Sequence, residues 1–181
     1  MYLDILNEID NLRPKRFLPI STSAKGYPVI NEPLNACAGL YFLYTSYSID
    51  ELCTIAELPG ASVPIARLAQ AHHRLPNVCQ IEQDGFRLVY NGIGGYAGGS
   101  YGLRRRILQE ISAPDIRTGS LRIMQSAVND LARWRFSYVT LHSEMQKSAA
   151  DFGPEWGFAE HAKSLERCWR LVHGWPLLCR T

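Results

Sequence analysis

Gly39-Leu-Tyr-Phe-Leu-Tyr-Thr45 is the stretch from which the fold class is read. It is an aromatic-rich run of strand-forming residues, and it predicts the first strong strand of the chain. Upstream, Pro14, Pro19, Pro28 and Pro33 punctuate residues 13–38, which read as an extended, looped arm. Before the arm, Ile5, Leu6, Ile9 and Leu12 recur at helical spacing, and Pro14 ends that short helix. Downstream, Ser48-Ile-Asp-Glu51 has capping-box spacing and opens a helix to about residue 58, broken by Pro59-Gly60. Ser62 caps a second helix over 63–73. Residues 78–82 and 86–91 read as strands joined through Asp84-Gly85, a hairpin signal. Leu103–Ile111 reads as a helix stopped at Pro114. Residues 119–134 read as an amphipathic helix, because Leu121, Met124, Val128 and Leu131 recur at three and four residues. Residues 136–141 form the next strand, 142–156 a loop, and 158–173 the last helix, with Leu165, Trp169 and Val172 on one face and a stop at Gly174-Trp175-Pro176. This order predicts an α+β domain around a small antiparallel or mixed sheet.

Composition narrows the class. The chain has 181 residues, 46% apolar and 20% charged, enough to bury a core without a metal or disulfide staple. Disordered, collagen-like and coiled-coil chains are excluded. No apolar run reaches the ~18 residues of a membrane span. The opening Met1-Tyr-Leu-Asp4, with Glu8 and Asp10 close by, lacks the basic and apolar regions of a secretory signal. Net charge is +2, but unevenly spread: residues 1–100 hold 7 Lys/Arg against 9 Asp/Glu, and residues 101–181 hold 12 against 8. A basic C-terminal half is compatible with a polyanionic partner, and also with a solvated surface of mixed sign. Cys37, Cys53, Cys79, Cys168 and Cys179 are odd in number and contain no CxxC pair, so free thiols in a reducing cytoplasm are expected. His72-His73 lies between Cys53 and Cys79, but the spacing matches no zinc pattern.

The glycines between Gly92 and Gly102 invite a nucleotide reading. Gly92-Ile-Gly94-Gly-Tyr-Ala97 fits GxGxx(G/A) after a strand and before a helix. A dinucleotide fold also wants an acid at the end of a following strand, about 20 residues on. Asp115 sits instead in a turn after Pro114, and no P-loop signature occurs. A nucleotide-binding enzyme using this loop is therefore the weaker alternative.

Four blocks in order carry a different pattern: Gly39-Leu40-Tyr41 opening a strand, Tyr90-Asn91-Gly92 closing a later one, Leu103-Arg104-Arg105-Arg106-Ile107 on the next helix, and Leu165-Glu166 on a helix that breaks at Pro176. Together, over about residues 39–181, they resemble the GIY-YIG nuclease superfamily. The resemblance implies a metal-dependent DNA endonuclease on a compact domain, with a central sheet of about three strands flanked by helices. Residues 1–38 are then an N-terminal helix and arm, and 46–85 an inserted, largely helical segment. The implied site is Tyr41 and Tyr90 flanking the attacking water, Arg106 on the phosphate, and Glu166 as the single acidic ligand of Mg2+ or Mn2+. Arg104, Arg105, Gly92 and Glu110 would border the substrate, and Arg67, His72, His73 and Arg74 are candidates for base contacts. A chain of this size is most similar to the restriction-type members.

The chemistry asks for these residue types. One carboxylate can hold a hard cation that keeps several waters while a phosphate supplies another ligand. An arginine fork matches phosphate geometry and stays charged. A phenol can deprotonate water only if its pKa, normally about 10, is lowered, and a nearby metal and arginine push that way. The same residues have plainer readings as well: sheet aromatics, a solvated arginine face, and a Glu166–Arg170 helix-surface pair. Glu160 is a rival acid six residues upstream of Glu166. The chain departs from the superfamily pattern in three places. Tyr41 and Tyr90 are 49 positions apart, Glu110 stands where His or Tyr is usual, and no Asn follows Pro176. The latter two leave open a catalytically inactive DNA- or protein-binding domain on the same scaffold.

Overall fold

A computed structural model describes residues 2–57, 63–95, 101–112, 119–142, 151–152 and 161–180. Strand β4 (Ala38–Thr45) is the axis of the molecule, and every one of its residues is buried. Side chains alternate across a strand. Leu40, Phe42 and Tyr44 therefore enter one core with Ile5, Leu6 and Ile9 of helix α1 (Tyr2–Leu12) and Leu165 and Trp169 of α5 (Ala162–His173). Tyr41 and Leu43 enter a second core with Leu103, Ile107 and Ile111 of α4 (Leu103–Ser112). Trp169 Nε1 donates to Asp10 Oδ1 at 3.1 Å and ties α5 to α1.

β4 pairs antiparallel with β6 (Phe86–Gly94) on one side and β7 (Trp134–Leu141) on the other. Gly39 fixes this alignment: at φ 148° it comes so close to β7 that a Cβ would lie 2.0 Å from the Val139 carbonyl oxygen.

The expected small sheet of about three strands is not what forms. The sheet is five-stranded, antiparallel and curled into a half-barrel, with β7, β4 and β6 at its centre and one short strand added at each edge. The extra strands are two residues each. β1 (Leu18–Pro19), from the arm, pairs with β7, and Pro19 is tolerated because it lies on an edge. β5 (Glu82–Gln83) pairs with β6 across a turn in which Asp84 and Gly85 are both left-handed. Pairs this short leave no periodic trace in a sequence. Two further arm segments, β2 (Ser21–Thr22) and β3 (Pro28–Val29), form their own ribbon.

Three local expectations also change. Residues 119–134 do not form a helix. They carry two short 3₁₀ turns, Ile123–Gln125 and Leu131–Arg133, because Arg122 is left-handed at φ 54° and Asp130 caps a new turn at Ala132. Leu121, Val128 and Leu131 are nevertheless buried and Met124 partly so, so the spacing reported burial and not helix. Val78 makes only a single bridge to Trp175, and Val172, expected on the buried face of α5, is 55% exposed. The Ser48 capping box forms, opening α2 (Ile49–Thr54), and α3 spans Ile65–His72. Pro59-Gly60, Ser62, Pro114, Asp115 and most of 142–156 lie outside the described residues. Among the described residues no helix is long and apolar enough to cross a membrane.

Candidate functional site

Tyr41 and Gly92 face each other across the β4–β6 pairing. A Cβ on residue 92 would lie 2.4 Å from the Tyr41 hydroxyl, so the glycine is what lets the ring lie over β6. Tyr90, two positions earlier on β6, points to the same face. Its ring centroid is 6.2 Å from that of Tyr41, and it is only partly buried, whereas Tyr41 is fully buried.

Helix α4 lays Arg106 and Glu110, one turn apart, against these rings. Tyr41 donates its hydroxyl to Glu110 Oε1 at 2.7 Å, and Arg106 reaches the same oxygen at 3.4 Å. The backbone N–H of Leu121 donates to Glu110 Oε2 at 2.8 Å. A fully buried carboxylate thus collects three donors. Burial still pushes the Glu110 carboxyl above its usual range, against the pull of Arg106 and those hydrogen bonds. Arg106 also donates to Gln109 Oε1 at 2.8 Å and keeps a quarter of its side chain exposed.

Glu166 comes from α5. Its Oε1 accepts from Arg170 at 2.8 Å, and its side chain is 15% exposed. Arg170 is oriented from behind. Its Nε donates to Asn91 Oδ1 at 2.8 Å, its guanidinium stacks over Trp175 at 4.8 Å, and Cys179 Sγ lies 3.3 Å from Asn91 Oδ1. The segment carrying Cys179 runs along β6, where Leu178 N–H donates to the Val89 carbonyl at 2.8 Å. Burial pushes the Cys179 thiol up to about 12, so it is a packing group at neutral pH.

Tyr41, Tyr90, Arg106, Glu110 and Gly92 therefore share one cluster. Glu166 is coupled to it through space, acting electrostatically on Tyr90 and feeling Arg106. Arg104 is turned away, donating to the Pro33 carbonyl at 2.7 Å and to the Asn31 carbonyl, so it clasps the arm to α4. Arg105 is exposed and lies over the Tyr101 ring at 3.9 Å. His72 is buried against the Leu177 carbonyl, His73 and Arg74 bond to each other at the end of α3, and Arg67 is exposed. Glu160 lies outside the described residues. Gly92 and Gly94 sit within an antiparallel strand and not in a phosphate loop, while Gly98 and Gly99 lie outside the described residues.

Two features of this cluster run against expectation. Burial pushes both phenols well above 10, and Glu110 adds to the rise, while Arg106 only opposes it. Full burial of Tyr41 also leaves that hydroxyl to Glu110. Sequence reasoning missed Asn91, Arg170 and Cys179. Asn91 lies inside a quoted motif and Arg170 four residues after Glu166, but nothing in the sequence says that a tail cysteine returns beside them.

The donor set bears on the metal. Among the described residues no group of three or more His, Cys, Asp or Glu gathers as a ligand cage. A lone carboxylate does not fit zinc. It fits a magnesium-type ion, which takes one or two carboxylates and completes its shell with water and phosphate.

Comparison of the chain with protein-family models, with curated proteins and with solved structures finds no match.

Proposed function

We propose that the chain is a divalent-metal-dependent endonuclease that hydrolyses phosphodiester bonds in DNA, in the manner of the GIY-YIG nucleases. The observation that supports this reading best is the cluster of Tyr41, Tyr90, Arg106 and Glu110 on one face of the sheet, on which Glu166 of α5 acts only through space. The five cysteines form no disulfide, which supports a reducing, cytoplasmic setting.

The roles follow from exposure and hydrogen bonding. Arg106, partly exposed and permanently charged, binds the non-bridging phosphoryl oxygens. Glu110 holds Arg106 in place, and Tyr41 holds Glu110, so both are positioning residues. Tyr90 is the less buried of the two phenols, and it too acts on Glu110. With its pKa raised it stays protonated at neutral pH and orients the attacking water without taking its proton. Glu166 would hold Mg2+ or Mn2+, which supplies Lewis acidity and leaving-group stabilisation when bound. Arg170, clamped by Asn91, sets the Glu166 rotamer.

The test is cleavage of supercoiled and linear DNA by the intact chain in Mg2+ or Mn2+. Glu166→Gln should abolish cleavage, and Arg106→Ala should slow it by roughly 10²–10³-fold. Undiminished cleavage by Glu166→Gln would overturn the assignment. The 2.8 Å Arg170–Glu166 pair favours a second reading, a catalytically silent DNA-binding domain in which arginine takes the place of the cation. DNA binding with no cleavage in any divalent cation would select it.

A further inference from the structure

The N-terminal arm and β7 enclose a cavity of about 410 Å³, none of whose lining residues belongs to the Tyr41–Glu110 cluster. That size falls in the range of small-molecule pockets. Pro33, Leu34 and Cys37 of the arm give it an apolar wall, and Arg16, Thr140 and Asp151 give it a polar one. Glu32 lies at its exposed rim beside Tyr138.

The polar wall is closed on itself. Arg16 gives two hydrogen bonds to Asp151, and Thr140 gives that carboxylate its backbone N–H and its hydroxyl. Glu32 is different. Its Oε2 accepts from the Tyr138 hydroxyl at 2.8 Å, while among the described residues its Oε1 has no donor and its charge no ion-pair partner. Arg104 reaches the carbonyls of Asn31 and Pro33, on either side of Glu32, and Arg16 is held by Asp151. Burial, and then the hydrogen bond to Glu32, push the Tyr138 phenol above its usual range, so the phenol stays the donor in this pair. What the cavity still offers a ligand is therefore an acceptor, the second oxygen of Glu32.

A ligand that completes this site must donate. An ammonium does so best, because its hydrogen bonds to a carboxylate are shorter and stronger than those of a neutral hydroxyl. An anion would face the Glu32 and Asp151 carboxylates, with Arg16 already doubly bonded. The apolar wall asks for a hydrocarbon body behind the donor. We propose that the cavity between the arm and β7 binds an organic ammonium, an –NH3+ group on a short apolar body, with the N–H groups on Glu32 Oε1 and the body against Pro33, Leu34 and Cys37. Tyr138 is a positioning residue that holds the Glu32 carboxylate from its other oxygen. The site goes beyond the nuclease reading and stands or falls apart from it.

The experiment uses the intact chain and probes of matched shape: phenethylammonium, the neutral phenethyl alcohol and the anionic hydrocinnamate. Binding is followed by titration calorimetry and by the NMR shifts of the Glu32, Leu34 and Tyr138 backbone amides. The ammonium should move those amides and bind at least about tenfold more tightly than the alcohol, and the anion should not bind. Glu32→Gln still accepts from Tyr138, so it should keep its melting temperature while the ammonium loses about tenfold in affinity and the alcohol is unaffected. Leu34→Ala should weaken ammonium and alcohol alike. Nα-acetyl-lysine methylamide separates two sources of the same group. Weaker binding than phenethylammonium assigns the cavity to a free amine, and tighter binding assigns it to a lysine side chain of a partner. Equal affinities for ammonium and alcohol, binding of the anion, shifts confined to other amides, an ammonium affinity untouched by Glu32→Gln, or no binding of any probe would each overturn the proposal.

Discussion

Two clusters of arginine, tyrosine and acid lie against the same sheet and have been put to different uses. At β7, Arg16 grips Asp151 with two hydrogen bonds of 2.5 and 2.6 Å, and Thr140 adds its backbone N–H at 2.7 Å and its hydroxyl at 2.9 Å. Arg16 also lies over the Tyr138 ring, whose hydroxyl donates to Glu32 at 2.8 Å. At β4, Glu110 meets its arginine once, at 3.4 Å, and Arg106 keeps hydrogen-bonding capacity and exposure in reserve. The carboxyls respond in opposite directions. Burial works to raise Asp151, but Arg16 and Thr140 overcome it and hold the acid below its usual range. Glu110 stays raised because burial outweighs a single long ion pair. A saturated pair staples the arm to the sheet, whereas an under-satisfied one leaves its arginine able to meet a second anion.

The contrast can be broken from the stapled side first. Asp151→Ala strips a part-buried arginine of its partner and should cost about 3 kcal/mol in urea denaturation. The sign in pH follows from the lowered carboxyl. Its contribution is present above the ordinary carboxylate pKa and is lost as pH falls through the lower folded value. Asp151→Asn should therefore flatten the acid limb of the stability profile. Next in size is Gly92→Ala, whose methyl meets the buried Tyr41 ring and should cost about 2 kcal/mol, read as a lower melting temperature. The smallest effect belongs to Glu110→Gln. Its oxygen still accepts from Leu121 and its amide can donate to the Tyr41 hydroxyl, so neutral-pH stability should change by no more than about 1 kcal/mol. Because the Glu110 carboxyl is raised, its contribution is present below the usual carboxylate pKa and is lost as pH climbs through the folded value. Glu110→Gln should remove that decline. A Glu110→Gln loss as large as that of Asp151→Asn would erase the difference between the two clusters.

Legibility in the sequence tracked how locally each feature is encoded. β4, the Ser48 capping box, α4 and the core of α5 announce themselves through runs and spacings that a few neighbouring residues complete. The edge strands Leu18–Pro19 and Glu82–Gln83 exist only because a partner lies beside them, so the sequence alone points to a smaller sheet. Residues 119–134 mislead for a related reason. Burial at helical intervals can be met by an irregular chain when a group outside it, here Glu110, anchors it through Leu121 and a residue at its end, Trp134, anchors it through Val128. Within the candidate site, Tyr90, Arg106 and Glu166 were legible as motif residues, while the Asn91–Arg170–Cys179 backing depends on the tail returning to β6. Arg104 and Arg106 are two positions apart on one helix, and only the fold shows that one serves the arm and the other the cluster.

Gly39 carries a consequence for how the chain reaches this arrangement. If β4 docked one residue out of step, Tyr41 and Leu43 would swap sides with Leu40 and Phe42, and Glu110 would lose the Tyr41 hydroxyl among its donors. The same slip would bring a side chain to the point where β7 leaves no space for a single carbon. A missing methyl group thus works as a register check, admitting only the pairing of β4 with β7 that puts residue 39 at this point.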